Sequence, residues 1–395
     1  MLILEPDVKS IAPNMALMKF ARWCEYMGHE YQYVRGMVEP DIDPTIIVTS
    51  CIFSYNAERY TKLFNFYKKL FPSIKIWAGG GFPTVYPEWF IEQGVEPHIG
   101  MYSTIEDLIP KYNVEIKCDP KVKIYPRNKI ILYSSKGCNN KCGYCIVPKL
   151  EGGMKSYTSI AEVLETAKTE LPDATSLVLY DNNITEHACF DDIMDELKEF
   201  DLAIDVFGLH VDSFTKVHAK RFAELKWGAQ GDAGTPYIRF SYDKMKYSVN
   251  IERALRLVIK YDIKVQFFAY MLYNFMDSPD DFWERLITAQ QIRDRVERDT
   301  GVNKALYLFP QKYVPLRALT RNEHVATKYG WTEAKLHGLA RLYTYIHGFL
   351  SVTKSQNLFN WIGHTKEEFF ANIEYMHTHK SIEKKSGKLI LEGEA

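Results

Sequence analysis

An α/β fold in two parts followed by a helical extension is predicted by two observations. Short apolar, β-prone runs alternate with helical stretches from the first residue to about 320, and beyond that point the pattern turns helical. The 395 residues are 46% hydrophobic and 25% charged, enough for a large core and more than one domain. A net charge of −1 argues against a generally cationic nucleic-acid binder. The start, Met1-Leu-Ile-Leu-Glu-Pro, has no basic lead, and no window nears about eighteen uninterrupted apolar residues, so a soluble cytoplasmic protein with no membrane partner is expected. Seven cysteines, an odd number without a secretory signal, suit a reducing compartment in which thiols serve as ligands.

Residues 1–112 carry strands expected at Leu2–Leu4, Glu30–Val34, Thr45–Thr49, Lys75–Ala78 and Pro97–Ile99. Helices are expected near Met15–Met27, Ala57–Leu70, Pro87–Gln93 and Thr104–Tyr112. Such a βα series predicts a Rossmann-like parallel sheet with helices on both faces, its crevice edged by Pro6–Asn14, Ser50–Asn56 and Gly79–Thr84. The glycines at 79–81 read as a tight strand-to-loop turn. Residues 113–127 fall in a basic run from Lys111 to Lys136 broken by Pro120 and Pro126, which reads as an extended linker; phosphate contact is its other reading.

Residues 128–320 repeat the strand–helix unit. Strands are expected at Ile130–Tyr133, Ser176–Tyr180, Ala203–Leu209, Tyr237–Ser241, Lys264–Leu272 and Ala305–Phe309. Helices fall near Ile160–Leu171, Phe190–Phe200, Ile251–Tyr261 and Pro279–Arg298. Six units predict a partial (β/α)6 barrel of the TIM type, whose chemistry belongs at the C-terminal ends of its strands. Residues 321–395 predict helices over Lys335–Phe349 and Glu367–His377, with Trp361, Phe369 and Phe370 as apolar anchors and a polar tail from His379.

The chemistry is concentrated after the first of those strands. There Ser134, Ser135 and Gly137 break the apolar run, and Cys138, Cys142 and Cys145 follow in the order C-x3-C-x2-C. Gly137, Asn139, Asn140 and Gly143 oppose a helix and let the loop fold back, so that three sulfurs can serve one metal or cluster site. Structural zinc would need a fourth ligand, for which Cys118 and the His187/Cys189 pair are the nearest candidates. An iron–sulfur cube held by three thiolates keeps one iron open for a chelating ligand.

This spacing, with Tyr144 directly before the third cysteine, resembles the signature of the radical S-adenosylmethionine (SAM) enzymes. The resemblance implies a 4Fe–4S cluster on Cys138, Cys142 and Cys145, SAM chelated to the open iron, and an external electron donor of flavodoxin or ferredoxin type. SAM is then cleaved to a 5′-deoxyadenosyl radical that removes hydrogen from an unidentified substrate. Leu179-Tyr-Asp181-Asn182-Asn183 takes the place of the family's amino-group motif, which makes Asp181 and Asn183, with Tyr144, candidate SAM contacts. Arg239, Ser241 and Asp243 alternate along one strand face, and the resemblance suggests a guanidinium for the SAM carboxylate with hydroxyl and carboxylate groups for its ribose. His210 and Asp212, after the third strand, are candidate substrate-side acid and base.

Residues 1–112 resemble the cobalamin-binding-type domain of one branch of this family, through Gly28-His29, Asp43-Pro44 and Trp77-Ala-Gly-Gly-Gly-Phe-Pro-Thr-Val-Tyr-Pro-Glu88. Ser50-Cys51-Ile52 and Gly79-Gly80 echo two of its cobalamin motifs, whereas nothing after the first strand matches D-x-H-x-x-G. The expectation is weak or no cobalamin binding and a role as a lid or docking surface. Phe275-Met-Asp277-Ser-Pro279 and Phe309-Pro-Gln-Lys312-Tyr313-Val-Pro315 resemble segments of uncharacterised radical SAM proteins. Alternatives are a cobalamin-dependent methyltransferase, an enzyme acting on a nucleotide or nucleic-acid base, and a zinc- or cluster-containing binding protein.

Overall fold

In the computed structural model the described residues are 1–8, 13–122, 128–156, 159–228, 234–345, 350–352, 359, 362–379, 384–385 and 388–389. Lys123, Pro126 and Arg127 of the basic run, Trp361, and most of the polar tail lie outside them. Two compact units result: Met1–Asp205 with Val314–Glu323, and Val206–Tyr313 with His324–Ala395. Among the described residues no helix is long and apolar enough to cross a membrane.

The first unit begins with a six-stranded sheet. Its strands are β1 (Leu2–Glu5), β2 (Gln32–Arg35), β3 (Ile46–Ser50), β4 (Lys75–Gly79), β5 (Glu96–Pro97) and β6 (Ile116–Cys118). They lie in the order β5-β4-β3-β1-β2-β6 with every pairing parallel. The helices interleaved with them are α1 (Met15–Tyr26), α2 (Ala57–Leu70), α3 (Gly81–Val85), α4 (Pro87–Glu92) and α5 (Ser103–Glu106). Asn14 starts α1 by accepting the N–H groups of Ala16 and Leu17 on its side chain. Gly28, at φ +69°, ends it, with the His29 N–H returning to the Cys24 carbonyl at 2.8 Å. One face of α2 buries Tyr60, Leu63, Phe64 and Tyr67 against Leu2, Leu4, Ile47 and Ile76 of the sheet.

Two expectations shift here. Ile116–Cys118, placed in the expected linker, pairs with β2; three alternating residues are too short a run to stand out among lysines. The helix expected over 104–112 stops at Glu106, because Pro110 would press its ring on the carbonyl of residue 106.

The same unit continues with β7 (Lys129–Leu132), β8 (Ser135–Lys136), α6 (Val147–Leu150), β9 (Lys155–Ser156), α7 (Ala161–Glu170), β10 (Ser176–Leu179), α8 (Phe190–Glu199) and β11 (Ala203–Val206). Its second sheet has the order β11-β10-β7. Contacts knit the two sheets' surroundings together: Tyr112 Oη donates to the Ile131 carbonyl at 2.9 Å, and Glu170 accepts both the Tyr112 N–H and the Arg22 guanidinium.

The second unit holds α9 (Lys216–Ala223), β12 (Tyr237–Ser241), α10 (Ser248–Lys260), β13 (Gln266–Tyr273), α11 (Pro279–Thr300), β14 (Leu306–Lys312), α12 (Glu333–Tyr345), β15 (Leu350–Val352) and α13 (Lys366–Thr378). Strands β12, β13 and β14 are parallel, and β15 adds antiparallel to β14. Helix α11 opens on a capping box, Ser278 with Asp281, and closes on Gly301 at φ +69°. Among the described residues, the six strands expected to form one partial barrel are hydrogen-bonded as two sets of three.

The end of β1 carries a buried ion pair. Glu5 accepts Arg35 Nη2 at 2.9 Å and Tyr33 Oη at 2.6 Å, and Arg35 is 1% exposed. Glu5→Ala would leave that guanidinium buried without its carboxylate, so a loss of about 3–5 kcal/mol is expected in urea unfolding.

Candidate functional site

Strand β7 carries the chain to Ser134 and Ser135 and then into the cysteine loop. The short antiparallel ladder of β8 and β9, Ser135 opposite Ser156 and Lys136 opposite Lys155, closes residues 137–154 into a loop. Gly137 has φ +78°, and a Cβ there would stand 2.1 Å from the Gly153 carbonyl oxygen, so the closure demands glycine. The Gly137 N–H donates to Glu151 Oε2 at 2.7 Å, and the Cys138 N–H to the Gly152 carbonyl at 3.3 Å. Within the loop the Cys145 N–H turns back to the Cys142 carbonyl at 3.0 Å.

All three cysteines are half-buried and outside any disulfide. Burial pushes the Cys138 and Cys145 thiols up. Cys142 and Glu186 raise Cys138 further, and Cys142, Cys138 and Glu151 raise Cys145. The Asn140 N–H, donating to Cys138 Sγ at 3.4 Å, works the other way. Thiols that hinder one another's ionisation are suited to a cationic group, since a bound metal deprotonates its thiol ligands. Among the described residues no three His, Cys, Asp or Glu side chains converge on one point as a single ion requires. Cys118 lies in β6, and His187 Nδ1 accepts the Cys189 N–H at 3.0 Å. The three thiols of the loop match in number a cluster that takes three thiolates.

The residues after β10 divide in two. Asp181, 3% exposed, accepts the Ser134 N–H at 3.2 Å and Oγ at 2.8 Å, and also Ser135 Oγ, so its carboxylate ties the end of β10 to the end of β7. Asn183 Oδ1 accepts Thr185 Oγ1 at 2.8 Å, while its Nδ2 is buried with no partner. Two carboxylates that sequence reasoning missed also serve the loop. Glu151 accepts Asn182 Nδ2 at 2.7 Å besides the Gly137 N–H, and Glu186 accepts Asn140 Nδ2 at 3.5 Å. The signal for the first was the Gly152-Gly153 pair behind it, marking the loop's return leg. Tyr144 is half-buried within the loop.

In the second unit, Arg239 lies over the Phe207 ring at 4.3 Å and donates to the Tyr237 carbonyl at 3.3 Å. Ser241, half-buried, ends β12 opposite Tyr270. Asp243 Oδ1 accepts the Leu272 N–H at 3.0 Å. The carbonyls of Tyr242 and Asp243 are held by Arg285, a fully buried arginine of α11 that also pairs with Asp277 at 2.7 Å. Sequence reasoning singled out Asp277 but not its partner, which sits on the apolar face of α11 beside Phe282 and Leu286. His210 packs edge-on to Tyr247, and its Nδ1 is buried without a partner. Asp212 is exposed, and its side chain accepts Asn250 of α10.

No family model matches the chain. Sequence similarity joins it to ribosomal protein uS12 methylthiotransferases RimO. The protein of Beijerinckia indica is 33% identical over 88 residues, which is 22% of this chain and 19% of that protein. That of Pasteurella multocida is 32% identical over 88 residues, 21% of this chain and 20% of the relative. The chain thus spans about a fifth of the length of the curated relatives it matches. The similarity to these methylthiotransferases supports placing the chain with the radical SAM superfamily. Enzymes of the radical SAM superfamily use a 4Fe–4S cluster and SAM. Among solved structures, the cobalamin-dependent SAM radical enzyme OxsB aligns at TM-score 0.49 and 15% identity over 73% of this chain and 51% of its own. SuiB of Streptococcus suis, bound to SAM, aligns at TM-score 0.33 and 13% identity over 55% of this chain and 44% of its own.

Gly137→Ala should push the Gly153 carbonyl aside and loosen the cysteine loop alone. Amide exchange across residues 137–154 is expected to rise about tenfold or more, with β7 and β10 as protected as before, read by hydrogen-exchange mass spectrometry.

Proposed function

We propose that this chain is a radical SAM enzyme that holds a 4Fe–4S cluster on Cys138, Cys142 and Cys145 and uses it on SAM to abstract hydrogen from a substrate. The observation that carries this reading is the clamped loop of three free thiols at the end of β7. When bound, the cluster and SAM supply a reductive cleavage that yields methionine and a 5′-deoxyadenosyl radical. The chain's own residues bind and orient. Asn183 Nδ2, buried and unpartnered, is assigned as a donor to a SAM heteroatom, and Tyr144 as a wall of the same site. Asp181 serves indirectly, by fixing Ser134 and Ser135 at the entry to the loop. Arg239, stacked on Phe207, is assigned to the SAM carboxylate, with Ser241 and Asp243 for the ribose. His210, whose Nδ1 lacks a partner, is the better substrate-side acid or base; Asp212 is engaged with Asn250.

The residues up to 112 are assigned as a Rossmann-like domain, supported by the all-parallel six-stranded sheet, and the strand–helix repeats of residues 128–320 as a partial barrel, supported by the parallel pairs β7–β10, β12–β13 and β13–β14. Cobalamin is not assigned. A Cβ on Gly80 would stand 2.8 Å from the Cys51 carbonyl oxygen and one on Gly81 2.8 Å from that of Ile52, so these glycines answer the chain's own close approach. An external one-electron donor is required. A second reading, transfer of a methylthio group, is favoured by the similarity to methylthiotransferases, and label from the SAM methyl group appearing in product would separate it from hydrogen abstraction alone.

Anaerobic reconstitution tests the assignment. Cys138→Ala, Cys142→Ala or Cys145→Ala should each abolish cluster iron and 5′-deoxyadenosine formation with the fold intact. Arg239→Gln and Asn183→Ala should keep the iron and weaken SAM binding by about tenfold or more. Zinc retained in place of iron, or 5′-deoxyadenosine from a cysteine variant, would refute the reading.

A further inference from the structure

Helices α12 and α13 run against each other in the second unit at an unusually small separation. Gly338 makes this possible: a Cβ there would stand 1.8 Å from the Ile373 carbonyl oxygen. Arg341, one turn along α12, donates to the carbonyls of Met376 at 3.2 Å, His377 at 3.0 Å and His379 at 3.4 Å, satisfying the open C-terminal end of α13. His337 precedes that glycine, and His377 lies one turn beyond Ile373. The two contacts therefore set the two imidazoles face to edge, their planes 79° apart and Nδ1 to Nδ1 at 3.1 Å. Nothing in the cysteine loop or in the proposed SAM contacts uses this pair.

Two Nδ1 atoms this close share either a proton or a cation. Metal–imidazole bonds of about 2.0–2.1 Å subtending angles between a right angle and the tetrahedral value separate two ligand nitrogens by about 2.9–3.4 Å, a range that contains the observed spacing. Imidazole suits zinc, nickel and copper, and two histidines on packed helices need little reorganisation to chelate. Among the described residues no third His, Cys, Asp or Glu completes the group, so a bound ion keeps positions for water or another ligand. We propose that His337 and His377 form a divalent transition-metal site, separate from the cysteine loop, that clasps α12 to α13.

The test uses the full chain with its cysteine loop already loaded with iron and sulfide, and Zn²⁺ as the probe, with binding followed by calorimetry and by thermal unfolding at several zinc concentrations. One equivalent of zinc is expected, with a melting temperature that climbs with free zinc. His337→Gln and His377→Gln should each weaken that equivalent at least about tenfold without changing cluster iron. His379→Gln should leave it in place, because His379 Nδ1 is engaged by Thr378 Oγ1 and the Tyr375 carbonyl. Equal zinc affinity in the wild type and both pair variants, absence of any saturable equivalent, or its loss in His379→Gln alone would overturn the proposal. Cluster iron is measured in the same samples, so failure here is distinct from failure of the radical SAM reading.

Discussion

The arrangement of the cysteines depends on one steric constraint, the absence of a side chain at Gly137. Because the Gly153 carbonyl oxygen stands 2.1 Å from where a Cβ would be, the outgoing and returning legs of the loop can meet. Glu151 then reaches the Gly137 N–H and the β8–β9 ladder forms. The start of the loop is fixed from the other side by Asp181, whose carboxylate gathers three donors from Ser134 and Ser135. A buried carboxylate with three donors is positioned by all of them at once, and this rigidity passes to the cysteines three residues on.

Much of this was legible in the chain because it is written in short-range chemistry. The C-x3-C-x2-C spacing lies after a strand, and the strand at Tyr237–Ser241 and the helix start at Pro279 fall where periodicity and capping residues put them. What could not be read depends on residues distant in sequence. Asp181 looks like a ligand group because it is polar and follows a strand, and only the fold reveals that two serines forty-six and forty-seven positions earlier occupy it. Arg285 is hidden for the opposite reason: a charged residue on a buried helix face gives no periodic signal, and although Asp277 lies just before α11, the carbonyls of Tyr242 and Asp243 that the arginine also holds follow β12, more than forty residues earlier.

The glycines at 79–81 carry a related lesson. A glycine beside a strand end signals that something approaches the backbone closely, and in a sheet of this kind a bound nucleotide is one such object. Here the approaching atoms are carbonyl oxygens of Cys51 and Ile52, with Ile146 of the cysteine loop 3.6 Å from the Cβ position of Gly81. The β4–α3 turn is therefore pressed against the segment that carries the thiols. A residue pattern associated with ligand binding can serve contact between two parts of one chain.

The strand contributed by Leu350–Val352 changes how the C-terminal extension is understood. By running antiparallel to β14 it covers backbone groups of Leu306–Leu308 that would otherwise line an open sheet margin. An exposed margin of this kind is a template on which a second molecule can add its own strand. The segment beyond 320 thus does more than add helices: it moves the margin of the sheet at Leu306–Leu308 outward onto a strand of three residues, a shorter template than the seven-residue β14.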